Sequence, residues 1–242
     1  MESLDSEYDY DSTIFSPDGR LYQVEYARET IKKGSTTLGL KFKDGVLILT
    51  YKNISSKLIE ISSTDKIEQI DDNIFCAYVG LSADARHLLN YSQEVAAINR
   101  IWYDEQIALK NLVEEICSYK HLFTTYNGLR PFGLILIIAG IDSKGVHLYG
   151  TDPSGAFLEH KAICEGKKNN LILKYLNRYY KESFTKEKAI KFAIDSIRKS
   201  LKKKIDANNI EIGIIEKNQA YYKPSKKEIQ KIIIKVDKND KK

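Results

Sequence analysis

Residues 134–139, Leu134-Ile135-Leu136-Ile137-Ile138-Ala139, form an unbroken apolar run of six, and nothing else in the chain constrains its fold as much. A strand with one face in water alternates apolar and polar side chains, so an uninterrupted run demands cover on both faces. Two stacked sheets with helices outside them supply that cover.

The surrounding pattern fits this scheme. Strand-like runs at 36–42 and 46–51 flank Lys43-Asp44-Gly45, and runs at 66–70 and 74–79 flank Asp71-Asp72-Asn73, so each pair reads as a hairpin. Helical spacing follows over 84–99, with Leu88, Tyr91, Val95 and Ile98 on one face. A second helix over 105–126 carries Leu109, Leu112, Ile116, Tyr119 and Phe123. Strands return at 132–141, 146–150 and 157–164, helices at 170–180 and 186–203, and a closing strand at 210–215. The order is β-rich, α, β-rich, α, β, an α+β fold.

A chain of 242 residues with 43% hydrophobic content can bury a sizeable core, and its 4 Pro and 13 Gly are scattered without forming a linker. No apolar run approaches the roughly 20 residues that cross a bilayer, and no signal-like segment opens the chain. A cytoplasmic protein without membrane contact is expected. Cys76, Cys117 and Cys164 are odd in number and far apart, which suits buried thiols in a reducing compartment. The four histidines, His87, His121, His147 and His160, show no paired ligand spacing, so neither metal nor cofactor is expected. The net charge of +5 is concentrated in 223–242, where eight lysines face Glu228, Asp237 and Asp240. Such a segment reads as a solvated, frayed terminus and not as a groove for nucleic acid.

Ahead of the first strand lies a structured extension. Ser16-Pro17-Asp18-Gly19 suits a type I turn, with Pro presetting φ at its second position. Leu21, Val24, Ala27 and Ile31 then share one face of a helix of about four turns, with Lys32 and Lys33 at its C-terminal end and Gly34 as a left-handed stop. A helix this short is marginal alone. Its apolar stripe needs cover from its own domain or from a neighbouring chain.

The run from Tyr8-Asp9 through Ser16-Pro17-Asp18-Gly19-Arg20 to Tyr26-Ala27, followed by Gly34-Ser35-Thr36-Thr37-Leu38-Gly39, resembles the α-subunits of the proteasome core particle. The resemblance continues through Gly80-Leu81-Ser82-Ala83-Asp84-Ala85-Arg86, Arg130-Pro131-Phe132-Gly133, Ala139-Gly140-Ile141-Asp142 and Asp152-Pro153-Ser154-Gly155, so it covers nearly the whole chain. It implies a four-layer αββα sandwich of the N-terminal-nucleophile hydrolase fold with an N-terminal extension helix. On this reading 1–34 is a gating extension, 35–222 the core domain, and 223–242 a C-terminal helix with a basic tail.

Members of the related β type cleave themselves before a Thr and use its hydroxyl as nucleophile with its free amine as base. Gly34-Ser35-Thr36 resembles that cleavage point, which makes a self-processed peptidase using Ser35 or Thr36 the alternative. Aligning Ser35 with the β-type first residue puts Tyr51 where the catalytic acid would stand and Lys66 close to the catalytic lysine. Ser35 also has no free amine while 1–34 remain attached, so the resemblance implies a chain without catalytic residues of its own. A basic-tailed nucleic-acid binder is a third reading.

As an α-subunit of archaeal type, the chain would join a seven-membered ring of itself or of paralogues. That ring would stack on β-subunits, admit unfolded polypeptide substrates through a gated port, and receive the C-terminal tails of regulatory ATPases in ATP-dependent protein degradation. Carried over by motif, Tyr8, Asp9, Pro17 and Tyr26 form the gate cluster. Lys66 and Gly80 line the docking pocket for a regulator's terminal carboxylate. Tyr126, Asn127 and Gly128 form the loop that constricts the substrate port. Asn127 departs from the Gly-Gly of archaeal members but tolerates a left-handed backbone. Glu165-Gly166-Lys167-Lys168 replaces the more usual Gly-Ser-Gly-Lys.

Overall fold

The structure is a computed structural model that describes residues 13–52, 56, 58–202 and 205–239. Among them, helix α1 (Tyr22–Lys32) leads into the hairpin β1 (Thr36–Phe42) and β2 (Gly45–Tyr51). A 3-10 turn (Ile61–Thr64) precedes the second hairpin, β3 (Ile67–Asp71) and β4 (Ile74–Gly80), and helices α2 (Ser82–Tyr103) and α3 (Leu109–Thr125) follow. Then come β5 (Leu134–Asp142), β6 (Gly145–Thr151), β7 (Phe157–Glu159) and β8 (Ala162–Glu165). Helices α4 (Asn169–Tyr179) and α5 (Lys186–Leu201), strand β9 (Ile210–Glu216) and helix α6 (Lys226–Asn239) close the chain.

The strands form two antiparallel sheets, β8-β1-β2-β9 and β3-β4-β5-β6-β7. Alternation along β5 shows why its sequence is apolar throughout. Leu134, Leu136 and Ile138 pack under α2 and α3, whereas Ile137 and Ala139 point between the sheets against Val46, Ile48 and Phe75. A third apolar layer joins the outer face of the four-stranded sheet to α4, α5 and α6 through Leu38, Leu47, Ile194 and Ile229. Three cores separate four layers, the αββα arrangement.

Four expectations need correction. Residues 157–164 are not one strand: β7 pairs with β6 and β8 with β1, so the chain changes sheet at His160-Lys161. Residues 226–239 are not frayed as their charge suggests but form the helix α6, which buries Ile229 and Ile233 against the core. Lys226, Lys227, Lys231 and Lys235 therefore decorate a docked helix. Gly34 is not a left-handed stop. Helix α1 ends at Lys33 in right-handed geometry, and Gly34 has no side chain because a Cβ would lie 2.9 Å from Val79 Cγ1 and 3.0 Å from Gly80 N. Asn127 likewise lies outside the left-handed region, which falls to Gly128.

The stripe on α1 finds its cover within the chain. Val24, Ala27 and Ile31 are buried, and the helix packs against β4 and β5. Arg28 fastens it further with a two-pronged pairing to Asp152, Nε and one terminal nitrogen each donating at 3.0 Å, while the other terminal nitrogen donates to Glu25 at 2.7 Å. Burial pushes the Asp152 carboxyl up, but hydrogen bonds from Arg28 and Ser154 outweigh it and hold the group below the usual carboxylate range.

Candidate functional site

Strand directions bring the sequence-selected residues to one end of the sandwich. Thr36 faces Tyr51 across β1 and β2, Gly80 faces Leu134 across β4 and β5, and Lys66 immediately precedes β3 at the same end. Helix α1 packs on β4 and β5, and Gly34 just beyond its end abuts Gly80. Two sites share this end of the sandwich, one around Ser35 and one around Lys66.

A cavity of about 360 Å³ opens beside Ser35 and Thr36, with Tyr51, Lys33, Lys167 and Lys168 in its wall. No carboxylate lines it among the described residues. The phenol-bearing Tyr51 lies opposite Thr36 across β1 and β2 in this wall. Thr36 Oγ1 donates to Lys167 O at 2.8 Å, and Lys167 N donates to Gly34 O at 3.0 Å, so both flanks of Ser35 are strapped to the loop before α4. Lys66 is not part of this cavity.

Lys66 instead lies on the helix side of the other sheet, half-buried, its Nζ 4.5 Å from the centre of the Tyr78 ring. Among the described residues no carboxylate lies within ion-pair distance of this ammonium. Burial pulls it below the usual lysine range, with Glu211 opposing and Lys52 assisting. Gly80 ends β4 at φ +130°, and a Cβ there would meet Gly133 O at 2.1 Å. Its glycine is therefore demanded by the close approach of β5. Leu81 N donates to the same carbonyl at 3.0 Å.

Pro17 is exposed in a turn closed by Gly19 N donating to Ser16 O at 2.8 Å, as the sequence requires, and Gly19 takes φ +75°. Tyr26 is half exposed on α1, its ring 6.5 Å from that of Tyr22. Tyr8 and Asp9 lie outside the described residues. At the end of α3, Tyr126 O accepts from Leu129 N at 3.4 Å around Asn127 and Gly128. Gly128 at φ +84° occupies the third turn position, where a type II turn needs a left-handed residue.

Residues 31–215 match the family model described as proteasome subunit, and residues 8–29 match the N-terminal signature of the A-type proteasome subunits. The chain belongs to the proteasome subunit family, in its α type. A proteasome subunit alpha of Methanosarcina thermophila is 46% identical over 86% of this chain and 84% of its own length. That of Methanopyrus kandleri is 41% identical over 98% and 96%, and that of Methanocaldococcus jannaschii 42% over 96% and 88%.

In this α-subunit the three thiols, Cys76, Cys117 and Cys164, are free and buried, and burial pushes all three up, that of Cys117 to about 11. None is poised as a nucleophile. No group of metal-binding side chains occurs among the described residues, and no helix there is long and apolar enough to cross a membrane. Three features were not anticipated as parts of the site: the pairing of Asp84 with Arg130 beside the turn at Asn127 and Gly128, the buried ammonium of Lys120, and Glu211. Asp84 and Arg130 stood within recognised motifs. Glu211 was signalled only as a lone acid between Ile210 and Ile212 in an apolar strand.

Proposed function

We propose that this α-subunit works without catalysis of its own, as a gate and docking surface in the α-ring of the proteasome core particle. Ring neighbours of the same or related sequence, β-subunits beneath, unfolded polypeptide as cargo and the C-terminal tails of regulatory ATPases are its partners in this reading. The observation that carries it is Lys66: a half-buried ammonium against an aromatic ring, without an acid of its own among the described residues, is suited to a terminal carboxylate arriving from outside. Tyr126, Asn127 and Gly128 then border the port. Pro17 and Tyr26, with Tyr8 and Asp9 of the preceding segment, hold the gate. The strapped surroundings of Ser35, with no carboxylate in the cavity wall among the described residues, support a silent nucleophile position.

The test uses the particle assembled with its β-ring. Lys66→Ala should abolish stimulation by a tail-docking ATPase. Removing one charge-assisted hydrogen bond costs about 1.5–3 kcal/mol, so tail affinity should fall about ten- to a hundredfold. Intact stimulation in this variant, or loss of unstimulated peptide hydrolysis with docking preserved, overturns the assignment.

A further inference from the structure

Strand β3 is the edge of the five-stranded sheet and β9 the edge of the four-stranded one. Glu211, 3% exposed, reaches from β9 to the main chain at the start of β3. Its Oε2 accepts the Lys66 N–H at 2.9 Å and its Oε1 the Ile67 N–H at 3.2 Å. One carboxylate thereby satisfies two donors of an edge strand in the opposite sheet. It also closes a square of charges. Lys52 Nζ lies 3.2 Å from Glu211 and also bonds Asp65, while Lys223 Nζ lies 2.6 Å from Glu211 and 2.7 Å from Asp65. Two acids and two ammoniums alternate, each cation shared by both acids.

The square leaves Lys66 outside it. Asp65 precedes Lys66 in the sequence and Glu211 accepts its backbone N–H, so both acids adjoin this lysine. Both are instead committed to Lys52 and Lys223. We propose that Glu211 is the positioning residue of the docking pocket: it fixes the main chain of Lys66 across the two sheets and, with Lys52, Asp65 and Lys223, keeps the neighbouring acids occupied so that the Lys66 ammonium is left for an incoming carboxylate. The inference rests on the docking role proposed for Lys66. It also ties the pocket to the segment between β9 and α6, which carries Lys223.

Replacing Glu211 with Gln changes both functions at once. The amide keeps one acceptor oxygen, so one of the two backbone donors meets an NH2 group instead. Lys52 and Lys223 are left to share Asp65, a local excess of one positive charge, and the ammonium of Lys66 loses the one neighbour that favours its charged form. The charged and titratable groups around Lys66 are Glu211 on β9, Lys52 after β2, Asp65 before β3 and Tyr78 on β4. Glu68 on β3 and Arg86 on α2 stand with Asp65 and Tyr78 in the adjoining cavity.

The experiment measures binding of a fluorescent C-terminal peptide of the cognate regulatory ATPase, as free acid and as amide, to the assembled particle across alkaline pH. Wild type should bind the free acid and lose it as Lys66 deprotonates. Glu211→Gln should bind it about tenfold or more weakly, with the midpoint of the alkaline loss moved to lower pH. A lesion that only loosens the fold would lower affinity without moving that midpoint. Native mass spectrometry and thermal melting verify assembly. If Glu211→Gln does not assemble, Lys223→Met opens the square from its exposed side, frees acid oxygens to compete for Lys66, and should weaken the free-acid peptide in the same direction. Lys66→Met separates the two claims. If Lys66→Met loses the peptide while Glu211→Gln, or Lys223→Met in its place, binds like wild type, the positioning inference fails and the docking reading stands. If Lys66→Met binds like wild type, the docking reading itself fails.

Discussion

The carboxylate of Asp84 takes both terminal nitrogens of Arg130 at 2.7 Å and, through Oδ2, the backbone N–H of Gly133 at 2.9 Å. Asp84 is buried in the first turn of α2, whereas Arg130 and Gly133 follow the turn at Asn127 and Gly128. One side chain thus anchors the segment that carries Tyr126, Asn127 and Gly128 to the helix beside it.

Asp84→Ala should therefore loosen the segment around Asn127 and Gly128 and destabilise the protein. Arg130 is mostly exposed, so solvent screens much of the pairing. Most of the loss comes from a buried Gly133 N–H without its acceptor, about 1–3 kcal/mol in all. Thermal unfolding should shift down by about 2–4 °C per kcal/mol for a chain of this size. Hydrogen bonding to Arg130 holds the Asp84 carboxyl below its usual range. Its contribution is present above the unfolded value near about 4 and lost as pH falls through the folded one. The gap between wild type and variant should close in that acidic window, and an unchanged gap would refute the assignment.

Lys120 titrates in the opposite range. Its side chain is fully buried in α3, with Nζ donating to Leu134 O at 3.2 Å and to Thr151 Oγ1 at 3.0 Å, and burial pulls it down to about 8. The unfolded chain, with lysine near about 10.4, binds more protons than the folded one between these values. Stability should rise with pH from about 8 towards 10 and fall as pH drops through 8. Urea unfolding of Lys120→Met should lack this rise. An identical slope in both proteins would assign the titration elsewhere.

Helix α1 makes two kinds of claim that point mutations separate. Val24 is 3% exposed and Tyr26 is 50% exposed, two residues apart on the same helix. Val24→Ala should cost about 2 kcal/mol through lost burial and the cavity left behind, read as a lower melting temperature of the protein. Tyr26→Ala should leave melting nearly unchanged and alter regulator-stimulated hydrolysis. Equal melting losses would make Tyr26 a packing residue.

Local signals carried most of the architecture. Lys43-Asp44-Gly45 and Asp71-Asp72-Asn73 sit at the two hairpin turns, and the apolar run of β5 required cover on both faces, which the two sheets and outer helices provide. What escaped the sequence was decided by distant partners. Gly34 ends a helix and so reads as a stop, but its size is set by Gly80 in another strand. Glu211 bonds residues 144 and 145 positions away, and no spacing in its own strand announces them. Residues 157–164 read as one strand because alternation does not reveal a change of sheet at His160-Lys161.

The position of Ser35 leads to a final prediction about processing. N-terminal-nucleophile catalysis needs a free amine on the residue whose hydroxyl attacks, because that amine is the base. Here Ser35 follows Gly34 at the end of α1, a helix held to the core by Val24, Ala27 and Ile31 and by the pairing of Arg28 with Asp152. Self-cleavage before Ser35 would need the Gly34 carbonyl to become electrophilic in a pocket that offers lysines and the Tyr51 phenol, with no carboxylate among the described residues. The Thr36 hydroxyl donates to the Lys167 carbonyl and away from Gly34. Intact mass and N-terminal sequencing of the protein should therefore find residues 1–34 retained, and the isolated chain should not hydrolyse peptides. A mature terminus at Ser35 or Thr36, with activity lost in Ser35→Ala or Thr36→Ala, would establish the self-processed peptidase instead.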